Sequence, residues 1–387
     1  MRLEIAKPIE VKKGTRCLSI EVIEDDNIIK INTPTPAVNS TEYNYLLEKL
    51  GSDDLPAPYP HKIVEHITHL DDKMLQKIRQ DNYDGTKLKT FLSKHSSQVC
   101  LYSIQVNPLN LLVEDIHTLV QIQKDAGFKF ISVFDVMGST PEQYASRIKY
   151  IQSHTQNKIV TPYLNLCDNP IIFAEKLKKL ITAGFKMIGI MYSSFLNPSN
   201  YINLSIIRMY YKQSLWFHMS GVRRIWGSSK SWSESNNVPS HLHILPYFGI
   251  DTFSVLSKKP VTGNFKKQIN EIKAFDAKTS EFLDLAHYET KCGVDNHCSC
   301  FLCSKYPTKR EFYEKQSLNN KQAEDSRQLY YSIRVHDAFA LYNDFKAMRE
   351  KMIEGKYDEY INKRPGINIM LNRINDLNKP SLPLSAF

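Results

Sequence analysis

No apolar run in these 387 residues approaches the ~20 needed for a helix to cross a bilayer. The opening residues, Met1 to Pro8, carry no apolar stretch of the secretory kind. The expectation is a soluble, cytoplasmic protein without membrane contact. No heptad and no Gly-x-y period runs through the chain, which excludes a coiled coil and collagen. Neither a glycine-rich dinucleotide fingerprint nor a Walker motif is found. Cysteine is scarce, seven in all, too few for a disulfide scaffold. What is present is ample apolar material: 42% hydrophobic residues excludes disorder over the whole chain. Lys+Arg number 50 against 41 Asp+Glu, leaving +9. That mild excess is compatible with a nucleic-acid partner and equally with many enzymes of small substrates.

The first forty residues read as short strands with turns, at Thr15–Glu21 and Asn27–Ile31. Residues 41–98 read as mostly short helices, interrupted by Pro56, Pro58 and Pro60. From Gln98 a rhythm sets in. Strands are expected at Gln98–Val106, Phe128–Val136, Lys158–Leu166, Lys186–Met191, Leu215–Met219 and Thr252–Val255. Helices are expected between them at Leu109–Ala126, Thr140–His154, Ile171–Ala183 and Ser240–Phe248. Thr140-Pro141 offers a cap and a first-turn proline, and Gly127 and Gly184 each close a helix just before a strand. Strands alternating with helices indicate βαβ units around parallel strands. With no dinucleotide fingerprint, the α/β pattern favours a (β/α)8 TIM-type barrel over a doubly wound sheet, with catalytic groups at the C-terminal strand ends. The rhythm stops near 290, so the expected division is a barrel with N-terminal strands over 1–290 and a C-terminal zinc-binding helical subdomain over 291–387. The latter holds a long helical run, Asp325–Ile361, and an irregular tail with Pro365, Pro380 and Pro383.

Four of the seven cysteines, Cys292, Cys298, Cys300 and Cys303, fall within twelve consecutive residues. Clustering of this kind in a reducing compartment points to metal before disulfides. The run Cys298-Ser299-Cys300-Phe301-Leu302-Cys303 can bring three thiolates to one tetrahedral Zn2+. For the fourth ligand, His297 and Cys292 are near but have little freedom to close the tetrahedron, whereas His336 would tie the long helix to the loop. Three Cys and one His leave no open position, so the zinc would be structural. The alternatives are free surface thiols and a helix histidine that merely packs.

The sequence resembles the tRNA-guanine transglycosylase family, enzymes that exchange a guanine in RNA for a 7-deazaguanine. The resemblance rests on Cys298, Cys300, Cys303 and His336, on the helix His336–Tyr360 after them, on Phe134-Asp135 followed by Thr140-Pro141-Glu142-Gln143, and on Gly249–Ser254. It covers about residues 100–361. It implies a barrel with a structural zinc, an aspartate at Asp135 contacting the purine, and a nucleic-acid substrate, tRNA first and DNA second. It also implies assembly as a homodimer or with an active partner as a heterodimer. This sequence departs from the family at the acids. Ser254 stands where the nucleophilic aspartate follows the phenylalanine. The Asp-Ser-Gly-Gly turn has no counterpart nearer than Tyr102-Ser103-Ile104-Gln105, and Met191–Ser194 replaces the Gly-Gly segment beside the base. A covalent sugar intermediate needs a carboxylate, which a neutral serine does not supply.

The candidate catalytic residues are therefore Asp135, read also as a helix-entry cap, and Asp251, read also as structural. Asp84 reads as a turn residue. Trp216, Trp226 and Trp232 lie close together with Arg223, Arg224 and Lys230 interleaved. Arg223, Arg224 and Trp226 are candidate substrate contacts, rings stacking on bases and arginines holding phosphates. The alternative is a loop whose tryptophans fold back as lids over the barrel mouth. His241 and His243 read as a structural pair. Three functional classes remain: a base-exchange glycosyltransferase, a catalytically degenerate subunit that binds nucleic acid or an active partner, and an unrelated barrel enzyme of small molecules.

Overall fold

Continuous apolar, β-branched runs such as Phe130–Phe134 (FISVF) and Met187–Met191 (MIGIM) suit strands buried on both faces, and both are wholly buried here. The computed structural model describes residues 1–10, 15–25, 27–43, 61–80, 83, 85–193, 197–223, 237–256, 273–283, 298, 300, 303–305, 311 and 324–377. They fall into two compact units, residues 1–223 with 246–258, and residues 224–245 with 259–387. The expected boundary near 290 lies outside the described residues.

The first unit starts with short strands β1 (Arg2–Ile5), β2 (Ile9–Glu10), β3 (Arg16–Cys17), β4 (Ser19–Glu24) and β5 (Asn27–Asn32). Next come β6 (Thr35–Asn39), β7 (Ile63–Leu70), β8 (Val99–Val106), β9 (Phe130–Phe134), β10 (Ile159–Asn165), β11 (Met187–Met191) and β12 (Trp216–Val222). After β13 (Asn237–Pro239), which belongs to the second unit, β14 (Thr252–Val255) completes the set. Eight strands, β8-β7-β6-β14-β12-β11-β10-β9, form one sheet whose pairings are all parallel. This is the expected TIM-type barrel.

Helices α1 (Asp72–Arg79), α2 (Thr86–Lys94), α3 (Val113–Ala126), α4 (Pro141–Ser153), α5 (Pro170–Thr182) and α6 (Pro198–Arg208) connect the strands. Thr140 caps α4 through the Gln143 N–H, with Pro141 in the first turn. Gly127 and Gly184 take positive φ just past α3 and α5, a conformation open to glycine without Cβ strain. Two barrel strands lie where the sequence suggests otherwise. β6 (TPAVN) contains a proline, and β7 (IVEHITHL) has Glu65, His66 and His69 breaking its apolar pattern within a stretch read as helical.

The barrel nearly closes between β8 and β9. Ser132 Oγ on β9 donates to the Tyr102 carbonyl on β8 at 2.5 Å. The Gln123 side chain on α3 takes the Ser132 N–H (2.8 Å) and donates to its C=O (2.9 Å). One amide side chain thus serves two buried backbone groups at the seam. At the other end of the strands an antiparallel sheet, β1-β4-β5, supplies Leu3, Ile20, Val22 and Ile31 to one core cluster, joined by Leu18 just before β4. These pack with Ile63, Val99, Phe130, Met187 and Trp216, each the first residue of its barrel strand. The N-terminal floor of the barrel is therefore apolar, each side chain contributing roughly 1.5–3 kcal/mol by burial.

In the second unit β13, β15 (Ala274–Asp276) and β16 (Glu281–Leu283) make an antiparallel sheet. A long helix, α7 (Glu324–Ile353), is followed by α8 (Tyr357–Asn362) and α9 (Pro365–Leu377). The expected continuous run to Ile361 breaks at Gly355, whose φ is +71°. The tail expected to be irregular is helical to Leu377, with Pro365 in the first turn, where a missing N–H costs nothing. The expected helix at Ser240–Phe248 is a 3-10 helix, His241–Phe248, with Pro246 inside it.

Gln123→Leu leaves both backbone groups of Ser132 buried and unpaired, at about 1–3 kcal/mol each. Urea unfolding is expected to show a loss of about 2–5 kcal/mol; a loss under about 0.5 kcal/mol, typical of neutral surface changes, would mean the seam does not depend on it.

Candidate metal centre and barrel lumen

Cys298, Cys300, Cys303 and His336 place four ligand atoms within 4.8 Å of one another, the last three residues buried. His336 Nδ1 lies 3.3 Å from the Cys300 sulfur and 3.2 Å from the Cys303 sulfur. In a tetrahedral site with bonds near 2.3 Å to sulfur and 2.05 Å to nitrogen, that separation is roughly 3.5 Å. The backbone N–H groups of Cys300 and Cys303 point at the sulfurs of Cys298 and Cys300, both at 3.4 Å. His336 sits on α7, and its Nε2 is 2.9 Å from the Phe275 carbonyl on β15. That bond needs the proton on Nε2, which leaves the Nδ1 lone pair for the sulfurs. The next residue, Asp337, accepts the Phe275 N–H at 2.8 Å, so one backbone position fixes α7 by both its polar groups. The Cys298 and Cys303 sulfurs, with burial, push the Cys300 thiol well above its ordinary value; a divalent cation reverses that and deprotonates such thiols. The donor set can hold a metal ion. Of the alternative fourth ligands, Cys292 and His297 lie outside the described residues.

A second buried cluster stabilises the same unit. Asp344 on α7 accepts from His243 Nε2 (2.8 Å), Ser280 (3.1 Å), Tyr360 (2.7 Å) and Arg364 (2.9 Å). His243 is thus structurally engaged, as expected of that pair.

Asp251 precedes β14 at the N-terminal end of the barrel, opposite the face where barrels carry catalysis. Both its oxygens pair with Arg16, at 2.9 and 2.6 Å, and Oδ2 also accepts the Phe217 N–H at 2.8 Å. Arg16 meanwhile donates to the carbonyls of Tyr211, Gln213 and Leu215. Both side chains are 1% exposed. Of the two readings of Asp251, the engagement of both its oxygens by Arg16 fits the structural one.

Asp135 follows β9 at the C-terminal face. Its Oδ2 lies 2.5 Å from Lys176 Nζ on α5, which also holds Asp168 at 2.9 Å. Burial raises the Asp135 carboxyl to about 7, against the pull of Lys176 and with a further push from Asp168. The second oxygen, Oδ1, is buried without a hydrogen bond among the described residues. The side chain expected to face the pocket is thus paired with the helical layer.

Inside the barrel the sequence reading missed a polar layer. Tyr163, Gly189, His218 and Thr252 stand in register across β10, β11, β12 and β14. Glu65 on β7 reaches His218 Nε2 at 3.2 Å, and Ser220 on β12 donates to Ser103 on β8 at 2.7 Å. Since β12 adjoins neither β7 nor β8, these contacts cross the lumen. Thr252 Oγ1 accepts the Trp216 indole N–H (2.7 Å) and lies 2.9 Å from His218 Nδ1. Its own proton can go to Nδ1, leaving the imidazole N–H on Nε2, toward Glu65. Burial pushes the Glu65 carboxyl up, but His218 with the Ser254 and Ser103 hydroxyls more than offsets it, and the group stays below its ordinary value. A carboxylate therefore stays ionised in mid-barrel. Ser254, the position at which the resemblance calls for the nucleophilic acid, borders it together with Ser103.

Trp216 is fully buried on the barrel floor, so it is no part of an exposed aromatic surface. Arg223 is exposed at the end of β12. Arg224, Trp226, Lys230, Trp232 and Asp84 lie outside the described residues.

No protein-family profile matches this sequence, and no curated protein does. Among solved structures, the carboxyl transferase domain from Rhizobium etli pyruvate carboxylase with 3-hydroxypyruvate is similar at 10% identity, over 86% of this chain and 56% of that one, with a TM-score of 0.40. For 3-dehydroquinate dehydratase from Geobacillus kaustophilus HTA426 the values are 7%, 62%, 89% and 0.39. For deoxyribose phosphate aldolase from Aeropyrum pernix they are 14%, 55%, 92% and 0.34. The chain spans about half the length of the carboxyl transferase domains it matches. Among the described residues no helix is long and apolar enough to cross a membrane.

Asp251→Ala strands a buried guanidinium, and removal of one partner from such a pair costs about 3–5 kcal/mol. Denaturant titration is expected to show that loss; a fully stable variant with altered chemistry would instead restore Asp251 as a reacting group.

Proposed function

We propose that this chain is a base-exchange glycosyltransferase of the tRNA-guanine transglycosylase type, replacing guanine with a 7-deazaguanine in a nucleic acid, tRNA in first place and DNA in second. The observation that supports it is the convergence of Cys298, Cys300, Cys303 and His336 in a chain that also folds a parallel barrel. Three soft thiolates and an imidazole favour Zn2+. With four protein ligands and no open position, the ion would crosslink the cysteine segment to α7 and supply no reaction chemistry.

The reaction breaks an N-glycosidic bond and needs a group that carries a proton to and from the base. Asp135 stands at the face where barrels place such groups. Its carboxyl, raised to about 7 chiefly by burial, exchanges a proton near neutral pH, as general acid–base work requires. Arg223, Arg224 and Trp226 are assigned to the polynucleotide, through phosphate contacts and stacking.

A second reading, a catalytically degenerate subunit that binds nucleic acid or an active partner, is favoured by two observations. Ser254 occupies the nucleophile's position, and Lys176 holds Asp135 at 2.5 Å.

Exchange of labelled guanine into tRNA and into DNA separates the two. The wild-type chain is expected to exchange, and Asp135→Asn to lower the rate by about a hundredfold or more, the usual worth of a general acid, with metal content and melting unchanged. Nucleic-acid retention without exchange of any base would establish the degenerate reading; no retention even at low salt would contradict both.

A further inference from the structure

Buried polar groups in folded proteins are nearly always hydrogen-bonded, and an unpaired one costs about 1–3 kcal/mol. The barrel lumen concentrates exceptions. Both oxygens of Glu65 are buried without a well-formed hydrogen bond, and so is Asn165 Oδ1. Tyr163 Oη and His218 Nε2 are in the same position. The His218 contact with Glu65 is close enough for an ion pair but poorly aligned for a hydrogen bond. These side chains come from three strands, β7, β10 and β12, and Glu65 bears on the Tyr163 hydroxyl electrostatically.

The lumen is shaped as well as polar. The Tyr163 ring lies over Gly189, where a Cβ would sit 2.5 Å from three ring carbons; only glycine lets the ring lie flat there. On β7 the residues after Glu65 with the same strand parity, Ile67 and His69, are half-buried and exposed, and Gln105 on β8 is half-buried. Glu65 therefore lies one layer, roughly 6.6 Å of strand, beneath residues that meet solvent.

We propose that Glu65 reads the base: its two oxygens, neither in a well-formed hydrogen bond, receive two adjacent N–H donors of a planar heterocycle, the ring N–H and exocyclic amine of a guanine-type base, with Tyr163 and Asn165 bordering the same space. A carboxylate meets two parallel N–H donors in bidentate fashion, the strongest neutral-ligand match available to it. The assignment rests on the base-exchange reading and moves base recognition from Asp135 after β9, which Lys176 occupies, to Glu65 on β7. Ser103 and Ser254 then have a role of their own, as hydroxyls holding Glu65 ionised.

The test is equilibrium binding of free guanine and of hypoxanthine, which lacks the exocyclic amine, to the full metal-loaded chain. Wild-type protein is expected to bind guanine about ten- to a hundredfold more tightly than hypoxanthine, the worth of one hydrogen bond to a charged group. Glu65→Gln is expected to weaken guanine by a similar factor and to erase the preference. Gly189→Ala, which drives the Tyr163 ring into the lumen without touching Glu65, is expected to weaken both bases alike. Equal affinity of the wild type for the two bases overturns the proposal and needs no variant. Loss of guanine binding in Asp135→Asn but not in Glu65→Gln also overturns it, while leaving base exchange intact. No purine binding and no exchange by the wild type would remove the proposal together with the reading beneath it.

Discussion

Three sulfurs and one imidazole nitrogen drawn within 4.8 Å form the constraint on which the functional account depends. Such a cluster is unfavourable without a cation, because each thiolate raises the cost of the next, as the raised Cys300 thiol shows. A single divalent ion would convert that repulsion into a crosslink between the cysteine segment and α7. The histidine is prepared for it: the Phe275 carbonyl holds the proton on Nε2, and Asp337 fixes the same residue from its amide side. Asp344, four times hydrogen-bonded by His243, Ser280, Tyr360 and Arg364, carries that order further along α7. Asp344 is thus a polar hub with four partners, the arrangement in which buried polar groups stabilise a fold instead of straining it.

The barrel shows the opposite economy at its two ends. Its floor is sealed by aliphatic and aromatic side chains, many of them from the N-terminal sheet, and the buried charged pair there, Arg16 with Asp251, is fully engaged. Its middle layer is polar and incompletely satisfied, with Glu65, Tyr163 and His218 left short of good hydrogen bonds. Satisfied polar groups mark architecture and unsatisfied ones mark sites where a ligand completes the set. By that criterion Asp251 belongs to the first class, Glu65 to the second, and Asp135 stands between, one oxygen on Lys176 and the other unpaired.

Much of this was legible in the sequence where local rules suffice. The strand–helix alternation from Gln98, the Thr140 cap, the glycines after α3 and α5, and the C-x-C-x-x-C run with His336 depend on short-range periodicity or on ligand chemistry, and they emerge as read. What escaped depends on distant partners. Arg16 and Asp251 are 235 residues apart, and Lys176 meets Asp135 from 41 residues away, so no local pattern tells that either acid is engaged. β7 hid because Glu65, His66 and His69 interrupt its apolar pattern, yet it is those inward polar residues that build the lumen. Trp216 was grouped with Trp226 and Trp232 by proximity along the chain, whereas its strand position sends it to the barrel floor.

The central claim is that Cys298, Cys300, Cys303 and His336 close on one tetrahedral zinc ion. X-ray absorption at the zinc edge of the purified protein tests it most directly. The account predicts one zinc per chain with three sulfur neighbours near ~2.3 Å and one imidazole nitrogen near ~2.0 Å. Absence of stoichiometric zinc, or a shell of oxygens without sulfur, would contradict it.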